Sequence, residues 1–279
     1  MKLLTSFRLE LSKIFRQRGT YAGPVILALM LGLMIWGLWK YGPEQRIGRR
    51  FGQDMVVGGK MLSGLSPARH VMGPALFILV PMLVAAVAGG LVAGEAKSGV
   101  LRTWLCRPLS RITLIMAKQL AAWTHAISLT LFLGLFALVL GHIFFGRGDL
   151  VDFQSGDGMV ILDERLGLIR LGLAYGLAAL LMCGIASLAL LFSVLFENPM
   201  VAAASTIAFL PVATIIGSIE YFKFLEPYLL TTYMNYWTAA FKGTLVVGDF
   251  LPGLYCIAGY CLIPYLIGTV VFWRKDITS

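Results

Sequence analysis

At 279 residues, 58% of them hydrophobic and only 13% charged, the chain carries more apolar surface than an ordinary water-soluble domain, where apolar content runs nearer about 45–50%. The formal net charge of +9 does not point to nucleic acid, because the lysines and arginines fall in the gaps between long apolar runs, where anchoring at a cytoplasmic membrane face explains them. Four cysteines, Cys106, Cys183, Cys256 and Cys261, lie in or beside apolar segments with neither a metal-ligand spacing nor a secreted disulfide pattern, and read as packing residues.

The chain opens on a basic lead, residues 1–21, in which Leu4, Phe7, Leu11, Ile14 and Phe15 recur at helical spacing with Lys2, Glu10, Lys13, Arg16 and Gln17 mostly elsewhere. This pattern predicts an amphipathic helix lying along the membrane face. The first long apolar run begins near Ala22 and is long enough to span, so it reads as an uncleaved anchor instead of a signal peptide. Six such runs are expected to cross the bilayer: residues 22–39, 71–94, 112–145, 171–196, 200–219 and 251–273, each near or above the roughly 20 residues that a hydrocarbon core requires. The fold class is therefore an all-α membrane protein, a single transmembrane domain over 1–279 with no internal repeat and no separable soluble part.

Between the second and third runs lies the polar island Gly94–Ala117, followed by Lys118. It carries Glu95, Lys97, Arg102, Arg107 and Arg111 and belongs at or outside a membrane surface. If residues 95–107 form a helix, at about 100° per residue, Val100, Leu101, Trp104 and Leu105 cluster on one side, with Glu95, Gly99, Arg102 and Cys106 opposite. Pro108 disfavours helix at Arg107, and Ser110 is placed to cap the helix that follows.

Glu95, Gly99, Leu101, Leu105, Pro108, Ser110, Arg111 and Lys118 together resemble the first cytoplasmic loop of the type 2 ATP-binding-cassette permeases, a family of bacterial export subunits. The ending Phe272-Trp-Arg-Lys-Asp-Ile277 is similar to that family's usual terminus. The resemblance implies that loop 95–111 is a coupling helix seated in a cleft of a separate cytoplasmic ATPase subunit. Glu95, Gly99, Leu101, Arg102, Trp104, Leu105, Pro108, Ser110 and Arg111 would form that contact, with the face that meets the ATPase left open. It also implies a translocation path formed with a second permease copy or homologue, a connecting helix at the N-terminus, and a bacterial inner-membrane location.

An even number of spans puts both termini on one side, together with the basic lead and loop 95–118; by the positive-inside rule that side is the cytoplasm. Residues 40–70 run against this assignment, since they hold six basic residues and leave the Lys and Arg tally at 12 inside against 11 outside, of 23 in all. The N-in orientation rests on the resemblance and the long basic lead.

The acidic gap from Arg147 to Arg170, with Asp149, Asp152, Asp157, Asp163 and Glu164, reads as a solvated external loop, because its carboxylates lack an ordered ligand pattern. Glu197-Asn-Pro-Met200 is a short cytoplasmic turn, where the resembled family has a second coupling element. Over residues 220–250 aromatic and polar residues interleave, which favours the membrane interface; the resemblance implies two short re-entrant helices there. Gly90 with Gly94, and Gly172 with Gly176, have the G-x-x-x-G spacing that permits close helix approach. Pro74, Pro81, Pro211 and Pro264 are expected to kink or open their helices.

Chemistry of its own is missing from the text. Apart from Lys118 near the start of the third, the six apolar runs hold no Asp, Glu, Lys or Arg, whereas membrane enzymes and ion-driven carriers keep ionisable groups there for a task. His125 is a packing group more readily than a base. Neither H-E-x-x-H nor G-x-S-x-G occurs, and Gly141-His-Ile-Phe-Phe-Gly146-Arg-Gly148 lacks the lysine and hydroxyl of a P-loop. No cofactor is expected, and no enzymatic activity. The expectation is a non-enzymatic permease subunit partnered by ATPase subunits, a second permease chain and membrane lipid, with no nucleic acid. The alternative is a structural or assembly membrane protein with no transport cycle, and a third reading is an intramembrane hydrolase using His125. The transported substrate is not legible.

Overall fold

A computed structural model describes residues 2–41, 62–100, 110–152, 160–242 and 247–274. The described residues are mostly helical: α1 (Lys2–Arg16), α2 (Arg18–Tyr41), α3 (Ser66–Pro74), a π turn (Ala75–Leu79), α4 (Val80–Lys97), α5 (Arg111–Phe145), α6 (Glu164–Leu195), α7 (Pro199–Ser218) and α8 (Leu251–Arg274). A two-stranded antiparallel hairpin, β1 (Leu150–Asp152) and β2 (Val160–Leu162), pairs Leu150 with Leu162 between α5 and α6.

Six helical stretches are long and apolar enough to cross a membrane: Arg18–Lys40, Ser66–Lys97, Arg111–Phe145, Glu164–Leu195, Pro199–Ser218 and Leu251–Arg274. They coincide with the six apolar runs and extend beyond several of them. The extension is chemical as well as geometric. Arg69 and Arg170, outside the apolar runs, lie inside helices and are buried, as is Lys118 within the third run, each with polar partners that offset its removal from water.

Helix α6 is the axis of the bundle. Its apolar stretch is 83% buried, against 17% for α8 and 22% for α7, and α4, α5, α7 and α8 all pack on it. Small residues make this possible: Ala174, Ala178, Ala186 and Ala189 present little bulk to the neighbouring helices, and all are buried. Ser193 Oγ accepts hydrogen bonds from the Val92 and Ala93 amides at 3.0 and 2.9 Å, fixing α6 against α4. Further along, Ser187 Oγ accepts from Gln119 Nε2 and Trp123 Nε1 at 2.8 and 2.9 Å and returns its own proton to Cys183 O. In lipid, such donors have no water to turn to, so the node ties α5 to α6.

The prolines act unevenly. The π turn falls between Pro74 and Pro81, two residues without an N–H for the helical ladder. Helices α7 and α8 run through Pro211 and Pro264 unbroken. Among the described residues the G-x-x-x-G pairs make no tight helix contact: a Cβ on Gly90, Gly172 or Gly176 would touch nothing within 4 Å, and on Gly94 only Pro199, at 3.8 Å. Close backbone approaches fall instead at Gly89, against Ala203, and at Gly64 with Gly141. A Cβ on Gly141 would collide with the Gly64 carbonyl, and the Gly64 amide donates to Gly146 O at 2.9 Å. Gly141→Ala is expected to destabilise the chain by about 1–3 kcal/mol through overpacking. Gly32→Ala, in open space, should be neutral or mildly stabilising. Thermal unfolding of the two variants in the same micelles checks this, and equal midpoints would contradict it.

Residues 220–241 and 247–250 form four 3₁₀ segments, Glu220–Tyr228, Leu230–Tyr233, Tyr236–Phe241 and Val247–Phe250, where two short helices were expected. Hydrogen bonding at spacing three suits a segment broken by Pro227 and crowded with rings, because it needs only short runs. Tyr236–Phe241 packs on α6, and Trp237, Ala240 and Phe241 are buried there.

Candidate functional site

The candidate site is built at the loop end of α4 and α5, where three helices bring four charges together. Helix α1 lies against α5 and turns Ser6, Glu10 and Ile14 inward, one residue per helical turn, while Leu4, Leu9 and Phe15 stay exposed. The face that meets the protein is thus more polar than the alternation of leucines and phenylalanines predicts. Its partner is the ammonium of Lys118, one of the largest fully buried side chains.

Lys118 Nζ donates to Glu10 Oε2 at 3.1 Å and to the Leu91 carbonyl at 2.9 Å, and lies 2.8 Å from Glu95 Oε2. Lys13 Nζ closes the ring, donating to Glu10 Oε1 at 2.8 Å and to Glu95 Oε1 at 2.7 Å. Two carboxylates and two ammoniums therefore alternate, with a formal sum of zero. Glu10 and Lys118 are buried, Glu95 is mostly so and Lys13 is half-exposed. Burial pulls the Lys13 pKa down, but its hydrogen bonds to Glu10 and Glu95 and their charges outweigh this and hold it above the ordinary lysine value.

Four of the nine predicted site residues fall among the described residues, and each has a defined local role. Glu95 belongs to the ion cluster. Ser110 caps α5, its Oγ accepting from the Thr113 amide at 3.1 Å, as the sequence anticipates. Arg111 Nη1 donates to the Trp273 carbonyl at 3.0 Å, and more distantly to that of Phe272, at the C-terminal end of α8. There a cation also complements the helix dipole. Gly99 has a φ of +72°.

That last value corrects the expectation of one helix running from residue 95. Helix α4 ends at Lys97, Ser98 follows in a turn, and Gly99 takes the left-handed conformation that terminates helices. Glu95 is therefore the last turn of a span and not the first turn of a separate helix. Leu101, Arg102, Trp104, Leu105 and Pro108 lie outside the described residues.

Glu10 and Lys13 were missed as site residues. The available signal was the stripe Ser6, Glu10, Lys13, spaced four and three apart on one side of an amphipathic helix. That stripe shows a polar partner is required but not which one.

A second charged cluster sits at the opposite end of the Ser66–Lys97 stretch. Arg69 Nη2 lies 3.1 Å from both carboxylate oxygens of Asp152, and its guanidinium is 4.6 and 4.5 Å from the ring centres of Trp237 and Phe241. Arg170 Nη1 donates to the carbonyls of Ala240 and Lys242, and Tyr175 Oη donates to the Ala68 carbonyl at 2.8 Å. Asp152, expected in a solvated acidic loop, is buried. This cluster joins α3, the hairpin, α6 and the 3₁₀ segments.

Six apolar helices around an axial α6, with charged clusters at the two ends of one span, define a multi-pass helical membrane protein. Residues 25–278 match a family model described as a protein of unknown function, DUF2705, and the chain belongs to that family. It is also similar to the uncharacterized protein YhcI of Bacillus subtilis (strain 168), with 29% identity over 210 residues that make up 72% of this chain and 66% of that protein.

Proposed function

We propose that this chain is the membrane-spanning permease subunit of an ATP-driven export system, with both termini and loop 95–111 on the cytoplasmic side of a bacterial inner membrane. Hydrolysis belongs to a separate ATPase subunit, and a second permease chain completes the path. The support from the residues is the loop pattern that resembles type 2 ATP-binding-cassette permeases. The observation that carries the reading is the ion cluster, which grips the loop at both feet: Glu95 where it leaves the bundle and Lys118 two turns after it returns, with α1 bound to both through Glu10 and Lys13.

Such a ring suits mechanical coupling. Against well-packed apolar residues a buried ion cluster gains little net stability, but its directional hydrogen bonds fix α1 and the two loop feet relative to one another. Displacement of the loop is then delivered to α4 and α5 together. Helix α1 serves as an amphipathic interfacial helix, with Leu4, Leu9 and Phe15 toward lipid and Arg8 and Arg16 at headgroup level. The 3₁₀ segments at 220–241 act as the re-entrant cap of the outer mouth.

The experiment is co-purification. The wild-type chain is expected to bring down a P-loop ATPase in stoichiometric amount. Gly99→Trp places a bulky residue at a left-handed position, at a conformational cost of about 1–2 kcal/mol, and is expected to lose the partner while the bundle still unfolds cooperatively. Retention of the ATPase by this variant, or recovery of none by the wild type, favours the structural or assembly alternative.

A further inference from the structure

Helices α4 and α7 run antiparallel and form a cleft that is closed at one end and open at the other. At the closed end Gly89 admits the backbone of α7: a Cβ there would stand 3.0 Å from the Ala203 amide nitrogen. Toward the π turn the helices part, and between them lies a groove of about 400 Å³. Phe77, Ile78 and Met82 line it from one side and Leu210 and Ile215 from the other, with Met234 of the 3₁₀ region also in its lining. Pro81 and Pro211 both line it, and neither supplies an N–H.

Water has no reason to remain there. Among the lining side chains the one hydroxyl is that of Thr214, and it donates to Leu210 O at 2.9 Å. A stable buried water requires two to four polar partners. Nor does a second helix fit, since one with its side chains is about 10–12 Å across. The groove opens on side chains that are largely exposed, Ile78 at 64%, Ile215 at 61% and Met82 at 50%, so it is continuous with the apolar outer surface of two spans.

We infer that this groove is a lipid site, occupied by one acyl chain of a phospholipid from the surrounding bilayer. The chain fills the space that the π turn and the two prolines open and wedges α4 and α7 apart above the Gly89 contact. The site is independent of whether the protein transports anything.

The test uses the full chain in phosphatidylcholine nanodiscs containing a phosphatidylcholine with a diazirine on its acyl chain, with adducts mapped by mass spectrometry. Adducts on residues 77–82 and 207–215 are expected several-fold above those on Leu29 and Leu33, which are exposed on α2. Thr214→Phe and, separately, Leu210→Phe fill the groove and should bring its adducts down to the α2 level. The α2 adducts calibrate labelling of open lipid-facing residues, and a cooperative thermal unfolding transition shows that each variant remains folded. Labelling spread evenly over all exposed apolar residues, or groove adducts unchanged in both filled variants, overturns the inference. Cross-linking of two Ile78→Cys chains to each other in place of lipid labelling overturns it as well, and assigns the face to a second copy.

Discussion

Lys118→Met is expected to destabilise the fold by about 3–5 kcal/mol, the cost of leaving one partner of a buried ion pair without the other. Methionine keeps most of the volume and none of the charge. Glu10 and Glu95 would then share only Lys13, a half-exposed cation, and the cluster would hold an uncompensated negative charge in a place where Glu10 is almost fully buried. Adding Glu10→Gln should restore much of the loss, because it removes the excess charge while keeping an acceptor for Lys13. Unfolding in mixed micelles, followed by helical circular dichroism, measures both. A double variant no more stable than Lys118→Met alone would show that the loss came from packing or from the Leu91 carbonyl, and not from charge balance.

At the other end of the same span, Arg69→Met is expected to cost a similar amount, about 3–5 kcal/mol, for a related reason. It strands the buried Asp152 carboxylate of β1 and removes the cation that lies against Trp237 and Phe241. Asp152→Asn in the same chain should recover part of it, the remainder being the lost cation–π contacts at about 0.5–2 kcal/mol. Hydrogen exchange should locate the damage: amides of Tyr236–Phe241 lose protection and those of α1 do not. The clusters share no residue and sit at opposite ends of a 32-residue stretch, about 48 Å long at helical rise, so the losses from Arg69→Met and Lys118→Met should add. A strong departure from additivity would mean that the two ends of the bundle are energetically coupled.

The six spans were legible because a bilayer demands about 20 apolar residues in a row, and little else in a sequence looks like that. Their true ends were not. Helices α3 and α6 reach past the apolar runs to take in Arg69 and Arg170, and what permits each extension is a partner far along the chain. Spacing rules failed on the glycines for a similar reason. G-x-x-x-G finds small residues on one face of a helix but not what that face meets, and the backbone contacts fall instead on Gly64, Gly89 and Gly141.

At the candidate site the cap at Ser110 is a local signal and was readable. The turn at Gly99 was not read from the sequence, which placed this residue within a helix over 95–107, since glycine permits the left-handed conformation without requiring it. The apolar periodicity of residues 2–17 announced a helix, but not that Glu10 would face inward. That orientation depends on Lys118, which no window of helical length includes.

The bond between Glu10 and Lys118 spans 108 residues, and this separation sets an order of assembly. While the chain is being synthesised, Glu10 has only Lys13 to answer its charge until α5 has emerged. The N-terminal helix therefore reaches its final seat after the third span has been inserted, and a nascent chain arrested before residue 118 would leave it undocked.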